Sequence, residues 1–119
     1  MIRNIVFYKR YFLDFFEEQS ETVRRKIDHV LRLVESLELV PEKFLKHVEG
    51  TDGLYEIRVE LSGNIYRMFC FFDAGKLVIV ANGFQKKTRK TPSSEIQRAL
   101  RIRKEYCDEK ADHTRRTSR

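Results

Sequence analysis

The chain has 119 residues, of which 35% are charged and 12% aromatic, and this predicts one folded domain with a modest core. The formal net charge is +6: residues 84–119 hold 12 lysines and arginines against 5 acids, and residues 1–83 hold 12 against 13. The positive excess therefore lies in the last third, which indicates a polyanionic partner on one side of the molecule. The sequence has no apolar run as long as a membrane span, and its two cysteines lack metal-ligand spacing, so we expect a cytoplasmic protein without membrane contact.

The first half of the chain predicts helices that pack on a sheet. Residues 2–8 have the composition of a short edge strand, and residues 11–18 that of a short amphipathic helix. Ser20 is a suitable N-cap for a longer helix, which we expect to close at Pro41. Its apolar residues recur at helical spacing: Val23, Ile27, Val30, Leu31, Val34 and Leu37. Residues 41–47 predict one short helical turn.

Residues 53–92 predict an antiparallel meander followed by a basic loop. Residues 55–61 alternate between apolar and charged side chains, which is typical of a strand with one buried and one wet face. Residues 65–72 are apolar on both sides, so this strand should be central. A third strand covers residues 77–81, and we expect Asn82-Gly83 to end it.

Arg67 is the exceptional residue, because a charge inside a sheet must be paired. The turn decides what it faces. If Ser62 and Gly63 form the loop, Arg67 lies opposite Arg58, and two adjacent guanidinium groups favour a phosphate between them. If the loop is Gly63-Asn64, Glu60 faces Arg67 and the pair is a structural salt bridge. The hairpin alone leaves both interpretations open.

The segment after the third strand favours the phosphate. It places four cations within five residues, directly after an aromatic ring: Phe84, Lys86, Lys87, Arg89 and Lys90. Basic side chains beside a ring that can stack on a base are the usual components of RNA contacts. A solvated surface loop is the alternative interpretation.

Thr91-Pro92 predicts the start of a last helix, with a capping threonine and a proline at the first helical position. From Asp108 onward the chain has no apolar periodicity, and we expect it to be disordered. The predicted domain therefore covers residues 1–106, and residues 107–119 form a basic tail.

Three segments in order, GLYEIRV, NIYRMFCFF and NGFQKKTRKTPSSEIQRA, resemble the phage-related HigB branch of the RelE/ParE toxin superfamily. The resemblance covers residues 1 to about 106. It implies a small α+β fold in which N-terminal helices pack on a mostly antiparallel four-stranded sheet with a C-terminal helix. It also implies the toxin of a type II toxin–antitoxin system, which cleaves mRNA on the translating ribosome, inhibits translation and is bound by a helix-turn-helix antitoxin.

By the same resemblance, Arg58 falls on a basic strand position, Arg67 on the arginine after the hairpin, and Lys86 and Lys87 on the cationic segment. These four residues are the expected catalytic group, and the expected RNA contacts are Tyr66, Phe84, Arg89, Lys90 and Glu60. The sequence departs from some relatives because no histidine lies near these positions and Tyr106 lies too far along the last helix to replace a C-terminal catalytic tyrosine.

The chemistry expected for such a site is metal-independent and needs no cofactor. The neighbouring 2′-hydroxyl attacks the phosphate, and the protein neutralises charge and moves protons. Arg58 and Arg67 would hold the phosphate, Lys86 or Lys87 would serve as acid or base, and Glu56 or Glu60 is a rival base. Two other functions remain open: a non-catalytic nucleic-acid-binding module, and a ParE-like poison of DNA gyrase.

Overall fold

The computed structural model describes the backbone of residues 2–86 and 93–117, and the side chains of residues 2–77, 79 and 93–113. Its elements in chain order are β1 (Asn4–Phe7), α1 (Tyr11–Glu17), α2 (Glu21–Ser36), β2 (Leu45–His47), β3 (Leu54–Leu61), β4 (Asn64–Asp73), β5 (Lys76–Lys86) and α3 (Ser93–Thr117). The predicted N-cap of α2 is confirmed, since the Ser20 side chain accepts a hydrogen bond from the Val23 N–H.

The strands form a single sheet in the order β1-β5-β4-β3-β2. All neighbouring pairs are antiparallel except β1 and β5, which are parallel. The predicted α+β class, the edge position of β1 and the central position of β4 are confirmed. The sheet has five strands, however, where the sequence predicted four.

The fifth strand is β2, in a segment for which the sequence predicted a helical turn. Leu45, Lys46 and His47 pair with the free edge of β3, and Lys46 lies opposite Glu56. A three-residue strand carries too little alternation to be recognised, and it forms because β3 offers unpaired backbone groups. Helix α2 also ends earlier than predicted, since Leu37 is already extended.

The prediction that β5 ends at Asn82-Gly83 was wrong, because the strand continues to Lys86. The register between β4 and β5 shifts between Arg67 and Phe69, and again between Phe69 and Cys70. Extra residues on β5 are therefore accommodated as bulges, where a glycine is well tolerated. The asparagine–glycine pair marks an irregularity within the strand and not its end.

Two apolar clusters cover the two faces of the sheet. On one face, α1 and α2 pack against β3, β4 and β5 around residues that are 0% exposed, among them Ile27, Val30, Ile57 and Met68. On the other face, α3 packs on one end of the sheet through a smaller cluster: Val48, Leu54, Phe69, Phe71, Ala99 and Ile102. The rest of this second face carries the charged residues described below.

Helix α3 extends through the segment predicted to be disordered. It reaches Thr117, so residues 108–117 are helical. The helix is held to the body of the protein by ion pairs, with Lys110 Nζ 2.7 Å from an Asp73 carboxylate oxygen and Lys9 Nζ 3.1 Å from Glu109. These long-range polar contacts explain a helix that apolar periodicity does not predict. No helix in the described part of the chain is long and apolar enough to cross a membrane.

Candidate functional site

The turn between β3 and β4 sets the register of the candidate site. Ser62 and Gly63 both have positive φ, at 52° and 80°, and Leu61 pairs with Asn64 across them. Positive φ at both central positions is the geometry of a two-residue hairpin turn. Arg58 therefore lies directly opposite Arg67, as the first of the two predicted registers requires.

Arg67 nevertheless does not lie on an open surface, which corrects the expectation that it binds phosphate directly. The residue is 2% exposed, and its Nη1 donates a hydrogen bond to Oε1 of Glu56. Neither hairpin alternative included this bridge. The residue opposite Arg67 is Arg58, and Glu56 lies two residues before Arg58 on the same face of β3. A guanidinium buried this deeply requires a carboxylate, and Glu56, itself 5% exposed, supplies it.

Arg58 is placed differently from Arg67. Its side chain is 24% exposed, and its Nε lies 3.6 Å from the same Glu56 oxygen, which is an ion-pair distance but too long for a good hydrogen bond. This Nε has no hydrogen-bond partner among the described residues. Arg58 is thus the half-open member of a Glu56–Arg58–Arg67 cluster in which Arg67 holds the carboxylate more closely.

Arg58 also lines a cavity of about 300 Å³ at the edge of the sheet, together with Lys26, Lys43, Phe44 and Glu60. We call this cavity the Arg58 pocket. Its wall comes from three parts of the chain: α2, the segment before β2, and β3. The backbone joins two of them, because the Arg58 N–H donates a 2.8 Å hydrogen bond to the Phe44 carbonyl.

The sequence analysis missed three of these residues, Lys26, Lys43 and Phe44. Nothing in their local pattern distinguishes them, since Lys26 follows the amphipathic pattern of α2 and Lys43 lies in a segment that was predicted to be helical. Only the pairing of β2 with β3 brings this segment next to Arg58. Glu60, a predicted RNA contact, is exposed and lines the pocket as well.

Tyr66 does not fit its predicted role in RNA stacking. It is 5% exposed and belongs to the apolar cluster under α1 and α2, with its ring 6.4 Å from that of Phe15. It lies opposite Val59 and therefore points to the other face of the sheet from Arg67. In this structure Tyr66 is a core residue.

The remaining predicted residues come from the basic segment. The backbone of β5 places Phe84 opposite Arg67 and Lys86 opposite Ile65, so the strand brings this segment alongside the cluster. The side chains of Phe84 and Lys86 are not among those that the structure describes. Lys87, Arg89 and Lys90 lie wholly outside the described residues.

A larger open cleft of about 820 Å³ lies between β4 and α3, at the end of the sheet that α3 covers. It contains none of the predicted site residues. At its wall, Tyr106 donates a 2.6 Å hydrogen bond to Asp73, and this bond raises the pKa of the tyrosine to about 12. Within the described side chains, no group of three histidine, cysteine, aspartate or glutamate residues could hold a metal ion.

Taken together, the site has an excess of positive charge in a small cavity. Lys26, Lys43 and Arg58 contribute three positive charges against one carboxylate, Glu60, and behind them Glu56 is balanced by Arg67. Such an arrangement can bind an anion with a guanidinium that is already oriented by its neighbours. An exposed carboxylate at the rim can accept a proton or a hydrogen bond.

The fold is similar to that of the E. coli toxin RelE, as a comparison with solved structures shows. An E. coli toxin RelE mutant in the free state aligns with a TM-score of 0.53 and 19% identity, over 70% of this chain and 83% of that one. The YoeB dimer from Staphylococcus aureus aligns with a TM-score of 0.47 and 19% identity, over 72% of this chain and 100% of that one.

The sequence gives the family. A model of the phage-derived Gp49-like proteins (DUF891) matches residues 14–104, which is well over half of the chain, so the protein belongs to this family. A search of curated proteins found no match.

Proposed function

We propose that this protein is the toxin of a type II toxin–antitoxin system, of the HigB-like branch, and that it is an endoribonuclease acting on mRNA at the ribosome. The observation that carries the proposal is the position of Arg58. It is a partly exposed arginine on the central hairpin, beside a buried Glu56–Arg67 pair, and it lines a cationic pocket. Membership of a phage-derived family and the RelE-like fold support it.

In the proposed reaction Arg58 binds the non-bridging oxygens of the scissile phosphate and stabilises the charge that develops there. The 2′-hydroxyl of the preceding nucleotide attacks, the 2′-oxygen–phosphorus bond forms and the bond to the 5′-oxygen breaks. The products are a 2′,3′-cyclic phosphate and a 5′-hydroxyl. This chemistry needs no metal ion or cofactor, because the nucleophile belongs to the RNA itself.

The roles proposed for the remaining site residues depend on how far each side chain is exposed to solvent, where the structure describes it. Arg67 is a positioning residue, which holds the Glu56 carboxylate within ion-pair distance of Arg58. Glu60 is exposed beside Arg58 and is the proposed base for the 2′-hydroxyl proton. Lys86 or Lys87 is the proposed acid for the leaving oxygen, and Phe84, Arg89 and Lys90 are proposed to contact the RNA further along.

The proposed partners are a helix-turn-helix antitoxin and the ribosome. The 12 to 5 excess of cations over acids in residues 84–119 favours a polyanionic surface such as ribosomal RNA. Co-expression with a small helix-turn-helix protein encoded beside the gene should restore growth of cells that produce this protein.

The test is induced expression in bacteria, followed by primer extension on cellular transcripts. We expect growth arrest and new 5′ ends within coding regions. Arg58→Ala should lower the cleavage rate by about 10²–10³-fold, as expected when one donor to a developing charge is removed. Arg58→Lys keeps the charge but loses the two-pronged geometry, so it should recover only part of the activity.

Urea denaturation of purified Arg58→Ala provides the control, and a midpoint close to that of the wild type is expected. A folded Arg58→Ala variant with full activity would overturn the role given to this residue. Growth arrest with relaxed plasmid DNA and intact transcripts would instead favour a gyrase poison.

A further inference from the structure

The Arg58 pocket has more positive charge than the proposed cleavage chemistry uses. Two of its three cations, Lys26 and Lys43, lie outside the hairpin that carries Arg58. Neither lysine, nor Glu60, forms an ion pair with another residue in the described part of the chain. The two arginines of α2 that are exposed form ion pairs within the helix instead, Arg25 with Glu21 and Arg32 with Asp28. The pocket therefore keeps charge available for a ligand.

The pocket is also built on rigid elements. Lys26 directly precedes Ile27, which is 0% exposed and fixes that part of α2 against the sheet. Arg58 lies between Ile57 and Val59, both 0% exposed, and its backbone is bonded to Phe44. The backbone that carries Lys26 and Arg58 is thus fixed before any ligand arrives, which lowers the entropy cost of binding.

Phe44 distinguishes this pocket from a simple anion site. Its half-buried ring lines the cavity, and the Lys43 Nζ lies 5.1 Å from the ring centroid. An aromatic surface beside a phosphate-binding group is what a nucleoside phosphate requires, because the base or sugar packs on the ring. Glu60 adds an acceptor for a hydroxyl or an amino group. At about 300 Å³ the cavity lies at the small end of ligand pockets, which suits one nucleotide.

We propose that the Arg58 pocket binds one ribonucleotide of the RNA substrate, next to the nucleotide that is cleaved. Lys26 and Lys43 bind its phosphate and Phe44 packs against its base or sugar, while Glu60, at the border of the subsite, remains the base for the cleaved nucleotide. This inference rests on the proposed function and extends it, because it gives the ribonuclease a subsite made by α2 and the segment before β2.

Binding is tested first, without cleavage. Adenosine 5′-monophosphate and inorganic phosphate are titrated separately into isotope-labelled protein, and amide signals are followed by NMR. The nucleotide should shift the signals of Phe44, Arg58 and their neighbours and should bind at least about tenfold more tightly than phosphate. Phe44→Leu should remove most of that difference and leave phosphate binding unchanged.

A matched pair of double variants separates contact from overall charge. Lys26→Ala/Lys43→Ala and Arg25→Ala/Arg32→Ala both remove two positive charges, but only the first pair lines the pocket. We expect nucleotide affinity to fall at least about tenfold in the first variant and by less than about twofold in the second. Equal losses in the two variants, phosphate binding as tight as nucleotide binding, or absent signal changes around Phe44 would each overturn the subsite.

Cleavage of a short RNA then distinguishes the two proposals. Lys26→Ala/Lys43→Ala should raise KM severalfold or more with little change in kcat, because these lysines bind substrate without touching the reacting atoms. An unchanged KM in an active enzyme would overturn the subsite alone. Nucleotide binding at the pocket by a protein that cleaves no RNA would overturn the proposed ribonuclease and the subsite's role in substrate, while the nucleotide site itself would stand.

Discussion

The two faces of β3 are built on different principles. On the face under α1 and α2, Ile57 and Val59 are 0% exposed and belong to the apolar cluster. On the opposite face, the residues beside them are Glu56, 5% exposed, and the half-buried Arg58. The first face stabilises the fold through burial of apolar area. The second face buries charges, which contribute little net stability and must be balanced internally.

This difference indicates which face was shaped by something other than stability. Replacing a buried ion pair with apolar residues of similar size is often neutral or stabilising. A cluster of two arginines and one glutamate therefore does not make the sheet more stable than apolar residues of similar size would. Local violations of packing rules are expected at functional sites, and here the violation lies directly behind the Arg58 pocket.

The largest expected loss of stability comes from removing the carboxylate of the charged face, Glu56. Glu56→Gln is nearly isosteric but removes the carboxylate that lies between Arg58 and Arg67, leaving two facing guanidinium groups without its compensation. We expect the free energy of unfolding to fall by about 3 kcal/mol, as for other buried pairs that lose one partner. Urea denaturation followed by circular dichroism measures this loss.

A double variant distinguishes the loss of one partner from the loss of the whole buried ion pair. Glu56→Leu/Arg67→Met removes both partners of the buried pair, and it should be more stable than Glu56→Gln by about 2 kcal/mol. Sulfate should also stabilise Glu56→Gln more than the wild type, since an anion can enter between the two arginines. Wild-type stability in Glu56→Gln would mean that the carboxylate is not what balances the cluster.

The apolar face provides the comparison at the neighbouring position. Ile57→Val removes one methylene group from a fully buried side chain, and we expect a loss of about 1 kcal/mol. The loss should not depend on sulfate or salt, because no charge is involved. A loss as large as that of Glu56→Gln, measured in the same urea titration, would contradict the distinction drawn between the two faces.

The sequence predicted the central position of β4 and limited the β3–β4 hairpin to two registers. The structure has the register with Ser62-Gly63 as the turn, which places Arg58 opposite Arg67. What the sequence did not predict was the outcome for Arg67. A hairpin register gives only the residues directly opposite each other, whereas the diagonal neighbour Glu56 lies on the same face and within reach of the long Arg67 side chain.

Other features depend on tertiary contacts that a local pattern cannot contain. The three residues of β2 form a strand only because the edge of β3 is free, and this pairing delivers Phe44 to the pocket. The C-terminal part of α3 is polar all round, and its helical state is supported by pairs such as Lys110 with Asp73. The catalytic roles of the predicted residues and the proposed boundary at residue 106 remain predictions.

The smallest expected effect concerns the end of the second face that is covered by α3, where the polar contacts are peripheral. Hydrogen bonds from Lys110 and Tyr106 lower the pKa of Asp73 below its ordinary value. A carboxylate whose pKa is lowered in the folded state stabilises the protein above the pKa of the unfolded chain, about 4, and this contribution is lost as the pH falls through the folded value. Asp73→Asn should therefore lower stability by about 0.5–1 kcal/mol at pH 7, and the difference from the wild type should shrink below about pH 4.

Asp108→Asn is the matched control, since Asp108 pairs with Lys104 on the exposed side of the same helix. Its effect at pH 7 should be smaller than that of Asp73→Asn, because pairs this exposed contribute little. Thermal unfolding of the three proteins between pH 3 and pH 7 measures both effects. If the Asp73→Asn difference stays constant over this range, the carboxylate charge does not fasten α3. The two faces of the sheet would then differ only in the apolar cluster and the Glu56–Arg58–Arg67 cluster, and the charge of Asp73 at the α3 end would not contribute to stability.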